Sequence, residues 1–178
     1  DSGNGAAYDL DLNNDATVDF RISITSNGAA AKLAAEAIGD NAIAGTYSDP
    51  YIYPSALAPG DMIGESKTWN SNIGGMTMAS SGYFQGAYGE WFGATDKYLG
   101  LRIKVGTNEH YGWVRMDVTT DGKTFTIKDY AFESTPAVSI AAGDAGSIGI
   151  TPVNANGYKI YAFNKQVTIE LKNNLPGD

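Results

Sequence analysis

The chain has no cysteine among its 178 residues, so no disulfide braces it and no thiolate can bind a metal. It has one histidine, His110, which excludes imidazole-rich zinc centres and leaves a single residue for any His-dependent nucleophile. No Gly-x-Ser-x-Gly turn accompanies it. The Gly-rich stretches 72–75 and 86–89 lack the Lys and following helix of a phosphate-binding loop. Apolar runs are too short to span a bilayer as a helix, so membrane insertion is not expected. No leader-like segment opens the sequence, and a secreted protein would be present here in its mature form. Basic residues are scarce as well. Residues 1–96 carry twelve acids against three bases, residues 97–178 carry eight against nine, and the net charge is -8. Such a surface repels phosphate backbones, which argues against nucleic acid as a partner.

The acidic residues that are present concentrate in one loop. Counting from Asp11, side-chain oxygens fall at loop positions 1, 3, 5 and 9 as Asp11, Asn13, Asp15 and Asp19, and the Thr17 carbonyl falls at position 7. A tight loop in that register wraps a hard cation in oxygen, and clustered carboxylates gain nothing from their mutual repulsion unless a cation joins them. Calcium is therefore the expected cofactor, with Asp9 as an additional ligand. The loop is not an EF-hand, because Ala16 stands where the turn glycine belongs and Ile22 stands in place of the bidentate Glu. The alternative is a polar hairpin turn in which Asp and Asn bond their own backbone.

Elsewhere the pattern is that of strands. Residues 18–25, 98–105, 110–118 and 124–132 alternate apolar and polar side chains, with turn signals at 26–28, 106–108 and 121–123. Segment 29–38 is open between helix and strand, since its alanines favour one and its neighbours the other. Strand and turn repeating without clear helices predicts an all-β fold, an antiparallel β-sandwich of jelly-roll type with long aromatic-rich loops. Residues 46–97 are those loops: Pro50, Pro54 and Pro59 interrupt them, yet they carry Trp69, Tyr83, Trp91 and several more aromatics. Burial over the sheet is the expected fate of most of these rings. The sharper alternative is a platform for sugar rings built on Trp69, Tyr83 and Trp91.

The sandwich should occupy residues 1–144, a small-residue linker 145–156, and a second hairpin 157–178. Two strands alone are marginal in water, so this hairpin should dock on a neighbour or belong to a longer domain. Its apolar side chains, Tyr158, Ile160, Tyr161, Phe163, Val167, Ile169 and Leu171, are candidates for self-association by strand or hairpin packing.

Residues 98–105, the His110-Tyr111-Gly112-Trp113 strand, 129–133 and 140–144 together resemble a module of secreted and surface proteins of Bacteroidota and some other environmental bacteria. Residues 9–20 and 57–64 look like further parts of it. The 157–171 hairpin resembles the start of a type IX secretion sorting domain. The resemblance implies an extracellular, cell-surface location and no catalytic residues. The expected function is thus structural, a subunit of a surface layer, fibre or adhesive appendage, and not an enzyme. A carbohydrate-binding module that takes glycans on its aromatic loops is the alternative. A small glycan hydrolase using two of Glu65, Glu90, Glu109 and Glu133 is a third.

Overall fold

Alternation becomes strand along most of the chain. The computed structural model describes residues 4–27, 30–48, 50–71, 75–81 and 87–146, together with the backbone of 158–163 and 166–171. In chain order the strands are β1 (Ala7–Leu10), β2 (Phe20–Asn27), β3 (Ala30–Ala37), β4 (Ala42–Ser48), β5 (Tyr51–Pro54), β6 (Met62–Ile63), β7 (Trp69–Asn70), β8 (Met76–Ser81), β9 (Lys97–Val105), β10 (Asn108–Val118), β11 (Phe125–Phe132), β12 (Ile140–Ala141), β13 (Tyr158–Phe163) and β14 (Gln166–Leu171). One sheet runs β1-β2-β3-β8 and the other β11-β10-β9-β4-β5, with β7 also paired to β4 and every pairing antiparallel.

The two sheets face each other as a sandwich. Phe20, Ile22, Ile24, Leu33 and Ala35 from the first meet Leu99, Leu101, Ile103, Val114 and Met116 from the second in one buried core. Each fully buried large side chain there contributes about 1.5–3 kcal/mol of apolar transfer. The open segment 29–38 resolves as strand β3. Ala31, Leu33, Ala35 and Ala37 point inward, while Lys32 and Glu36 alternate outward beside β2, where Glu36 lies opposite Arg21. Pairing on both sides, with β2 and β8, outweighs the helix propensity of alanine, which is a weak preference that tertiary context overrides.

The second sheet is also covered on part of its outer face. Leu57, Ile63, Ile140 and Ala142 pack over Tyr98, Tyr111, Trp113 and Ala131 as a smaller core. This cover is a lid made of β6 and β12, tied down by paired backbone hydrogen bonds between Leu57 and Tyr98. Gly100 lets it come close, since a Cβ there would lie 2.9 Å from the Ala44 methyl and 3.2 Å from Leu57 Cδ1. Trp69 lies against the same face, stacked on Tyr111 at 5.6 Å with the Arg102 guanidinium 5.4 Å from its ring.

Strand β11 carries a bulge. Its register with β10 slips between Arg115 and Met116, so Asp129 and Ile127 take successive partners and Lys128 is the extra residue. The slip changes parity: Phe125 and Ile127 pack on the core before it, and Tyr130 and Phe132 after it. Without the bulge one of those halves would face solvent. The expected hairpin 157–178 forms as β13 paired with β14, Phe163 opposite Gln166. Its side chains, and with them the self-association residues named above, lie outside the described residues, as do 147–157.

Candidate functional site

The acidic loop connects β1 to β2, and its two leucines explain how it is held. Leu10 and Leu12 are each 1% exposed, so alternate residues plug into the sandwich while Asp9 and Asp11 face outward. The loop beyond is wound by its own side chains. Asp11 accepts from the backbone N–H groups of Asp15 (3.1 Å) and Ala16 (2.8 Å), Asn13 Oδ1 from Asp15 N–H (3.1 Å), and Asp15 Oδ1 from Thr17 N–H (2.8 Å). Asn13 Nδ2 donates to the other Asp15 oxygen at 3.1 Å. These bonds bring Asp11, Asn13 and Asp15 into one small cluster and hold the Asp15 carboxyl below its usual pKa, the Thr17 N–H being the main cause.

The winding places two non-glycine residues in the left-handed region, Asn14 at φ 59° and Ala16 at φ 71°. Asparagine tolerates that conformation; alanine does so at a cost of about 1–2 kcal/mol. Ala16 thus adopts the backbone that a glycine supplies at the sixth position of a calcium loop.

Asp19 stands apart from this cluster. It is buried, and its carboxylate accepts from Leu12 N–H at 2.8 Å and from Asn41 Nδ2 at 3.1 Å. Burial raises its pKa, against the lowering effect of those two bonds, and the charges of Asp15 and Asp11 raise it further. Asn41 is a residue that sequence reasoning missed. It is buried itself and accepts from Lys104 N–H at 2.9 Å, so it ties the end of the loop to the second sheet. Asp9 is engaged elsewhere, paired with Arg21 through contacts of 2.6 and 2.8 Å, and Arg21 is the main cause of its lowered pKa. Among the described residues no three carboxylate or imidazole side chains are grouped to hold a metal ion.

The aromatic positions divide differently from expectation. Trp91 is 0% exposed and donates its indole N–H to the Pro54 carbonyl at 2.9 Å, so it is a core residue and not a platform for sugars. Trp69 is half-buried, donates to the Gly64 carbonyl at 3.1 Å and braces Tyr111. Tyr83 lies outside the described residues. Among the described residues the rings that face solvent are Tyr47 and Tyr51, at 63% and 64% exposure, with Tyr88 beside them at 39%. They line a cleft of about 560 Å³ with Tyr53, Thr46, Ser48 and Glu90. These tyrosines are not separable from the buried tryptophans by residue order, because the short strands and turns that carry them show no burial period.

His110 is buried in β10, its Nδ1 3.0 Å from the Glu133 carbonyl and its ring edge-on to Phe132. Three of the four carboxylates considered for glycoside hydrolysis have structural partners: Glu133 caps Thr135 N–H, Glu109 pairs with Arg102, and Glu90 holds Ala56 N–H. No protein-family model, curated protein or solved structure matches this chain.

Proposed function

We propose that the chain is a non-catalytic, extracellular β-sandwich module stabilised by calcium, serving as a building block of a surface layer, fibre or adhesive appendage. The observation that carries the calcium reading is the left-handed Ala16 inside a loop whose side chains cap its own N–H groups. Ala137 is also left-handed, at φ 59°, so the strain alone does not require a metal; in this loop it coincides with oxygens of Asp11, Asn13, Asp15 and the Thr17 carbonyl in calcium-loop register, and a cation held there would offset it. Asp19, at the ninth position, fits the role such residues often take, contacting the ion through water. A cation supplies the cross-link that a cysteine-free chain lacks. The second sheet, buried on its inner face and capped over part of its outer one, suits a load-bearing part, and the resemblance of 157–171 to a type IX sorting domain supports export to the surface.

Binding only the native state raises its melting temperature by mass action. Melting the protein with millimolar calcium and again in excess chelator should therefore show a clear drop without the metal, and Asp15→Ala should abolish the difference. Identical curves in all conditions would defeat the calcium assignment. The building-block role is tested separately, by light scattering and electron microscopy of the full chain and of a chain lacking 146–178. Loss of polymers with an intact sandwich supports it, and a chain that stays monomeric under every condition refutes it.

A further inference from the structure

The cleft beside the β4–β5 hairpin is an open, aromatic-lined surface. One wall is that hairpin, where Thr46 lies opposite Tyr53 and Ser48 opposite Tyr51. The other is segment 87–90, hung on β8 by reciprocal backbone hydrogen bonds of 2.9 Å between Ser80 and Tyr88. Both walls are thus fixed before any ligand arrives, which removes an ordering cost from binding. Tyr51 and Tyr53 meet edge to face, with centroids 6.3 Å apart and planes at 63°, so neighbouring rings present differently tilted faces. Glu90 is fixed at the wall, where its Oε2 accepts from Ala56 N–H at 3.2 Å.

We propose that this cleft binds a neutral polysaccharide, with Tyr47, Tyr51 and Tyr88 as stacking surfaces and Thr46, Ser48 and Glu90 as hydrogen-bonding partners. Sugar rings offer apolar C–H faces rimmed by hydroxyls, and they need aromatic faces interleaved with polar groups, which is how this cleft is lined. A proline-rich peptide would also lie on tyrosines, but its prolines lack the N–H donors that a carboxylate such as Glu90 would use, whereas every sugar ring carries hydroxyl donors. An anionic glycan would meet Glu90 and the acidic half of the chain, a repulsion that disfavours it. The cleft is open and not an enclosed pocket, so it accommodates the interior of a polymer and does not require a chain end.

The test is affinity electrophoresis of the full chain in gels containing soluble neutral polysaccharides (β-glucan, xylan, mannan and starch), with alginate and a proline-rich peptide as competitors. At least one neutral polymer should retard the protein. Tyr51→Ala and Tyr47→Ala should each weaken that retardation by about tenfold, the loss expected for one stacked ring, with the β-sandwich still folded by circular dichroism. Tyr51→Phe should retain it, and Glu90→Gln should weaken it. The proposal is overturned by retardation on no neutral polymer, by equal retardation of the alanine variants, or by displacement with the peptide or alginate in preference. Concentration-dependent dimerisation lost in Tyr51→Ala would assign the face to a second copy of the chain and overturn it too.

Discussion

The two halves of the outer face of the second sheet are built from the same strands and meet opposite fates. Beyond Glu109, which pairs with Arg102, the outward positions along β10 are Tyr111, Trp113, Arg115 and Asp117. The first two lie under the lid of Leu57, Ile63 and Ile140, and Trp113 packs edge-on to Tyr98 at 5.1 Å while its indole N–H donates to the Asp144 carbonyl at 2.9 Å. The last two belong to an open ionic cluster: Arg115 grips Asp129 through two contacts, and Lys128, the bulge residue, bridges Asp96 and Asp117 at 2.7 and 2.8 Å. A sheet face is therefore not core or surface as a whole. Successive outward side chains decide where cover is worth adding, and the cover stops where charge begins.

The covered half should be energetically dominant. Trp113→Ala should cost about 3–5 kcal/mol in chemical denaturation, the range for a fully buried large aromatic. A loss below about 1 kcal/mol would mean that the lid end behaves as surface and would erase the contrast. Removing cover and leaving the covered ring in place probes the lid itself. Ile140→Ala should cost about 2 kcal/mol, the low end for a buried isoleucine, because a two-residue strand can relax into the space. The ionic half should matter least: Asp117→Asn should cost less than about 1 kcal/mol and shrink further in high salt. Its pH dependence has a definite sign. The Lys128 hydrogen bond is the main cause of the lowered Asp117 pKa, so its contribution is complete above the unfolded value near 4 and disappears as pH falls through the folded one. The gap between wild type and Asp117→Asn should be full at pH 6 and closed in strong acid.

Much of this was legible because alternation reports a face directly. The β9–β10 hairpin falls where its apolar period and Gly106 turn put it, and the antiparallel all-β class follows from the repeat. The parity break in β11 was not read: 124–132 pass as plain alternation, and only the pairing with β10 shows that apolar residues at 125 and 127 and then at 130 and 132 share one face across a bulge. Nor was the lid. Leu57, Ile63 and Ile140 lie in a bridge and two-residue strands too short to show a period, so nothing in the sequence marks them as sharing a neighbour. For the same reason Trp91 and Tyr51 looked alike, although one is sealed beneath Pro54 and the other stands in solvent. At the candidate site, the oxygen spacing was readable from residue order, but the inward turn of Asp19 depends on Asn41, which only the packing of the second sheet brings near.

The order of strands within the sheets also sets the pace of folding. Strands β9, β10 and β11 are chain neighbours and can pair by closing short turns. In contrast, β4 must find β9, with Ala42 opposite Arg102, and β3 must find β8, with Ala31 opposite Ser81. Loop-closure entropy is spent in full before such distant pairs return any contact energy, which puts sandwiches in the millisecond-to-second range. The three-strand meander is accordingly the natural nucleus. Until the first sheet, β1-β2-β3-β8, packs onto it, the apolar inner face of that meander stays open, making the interval before the sheets meet the stage at which this chain is most exposed to aggregation.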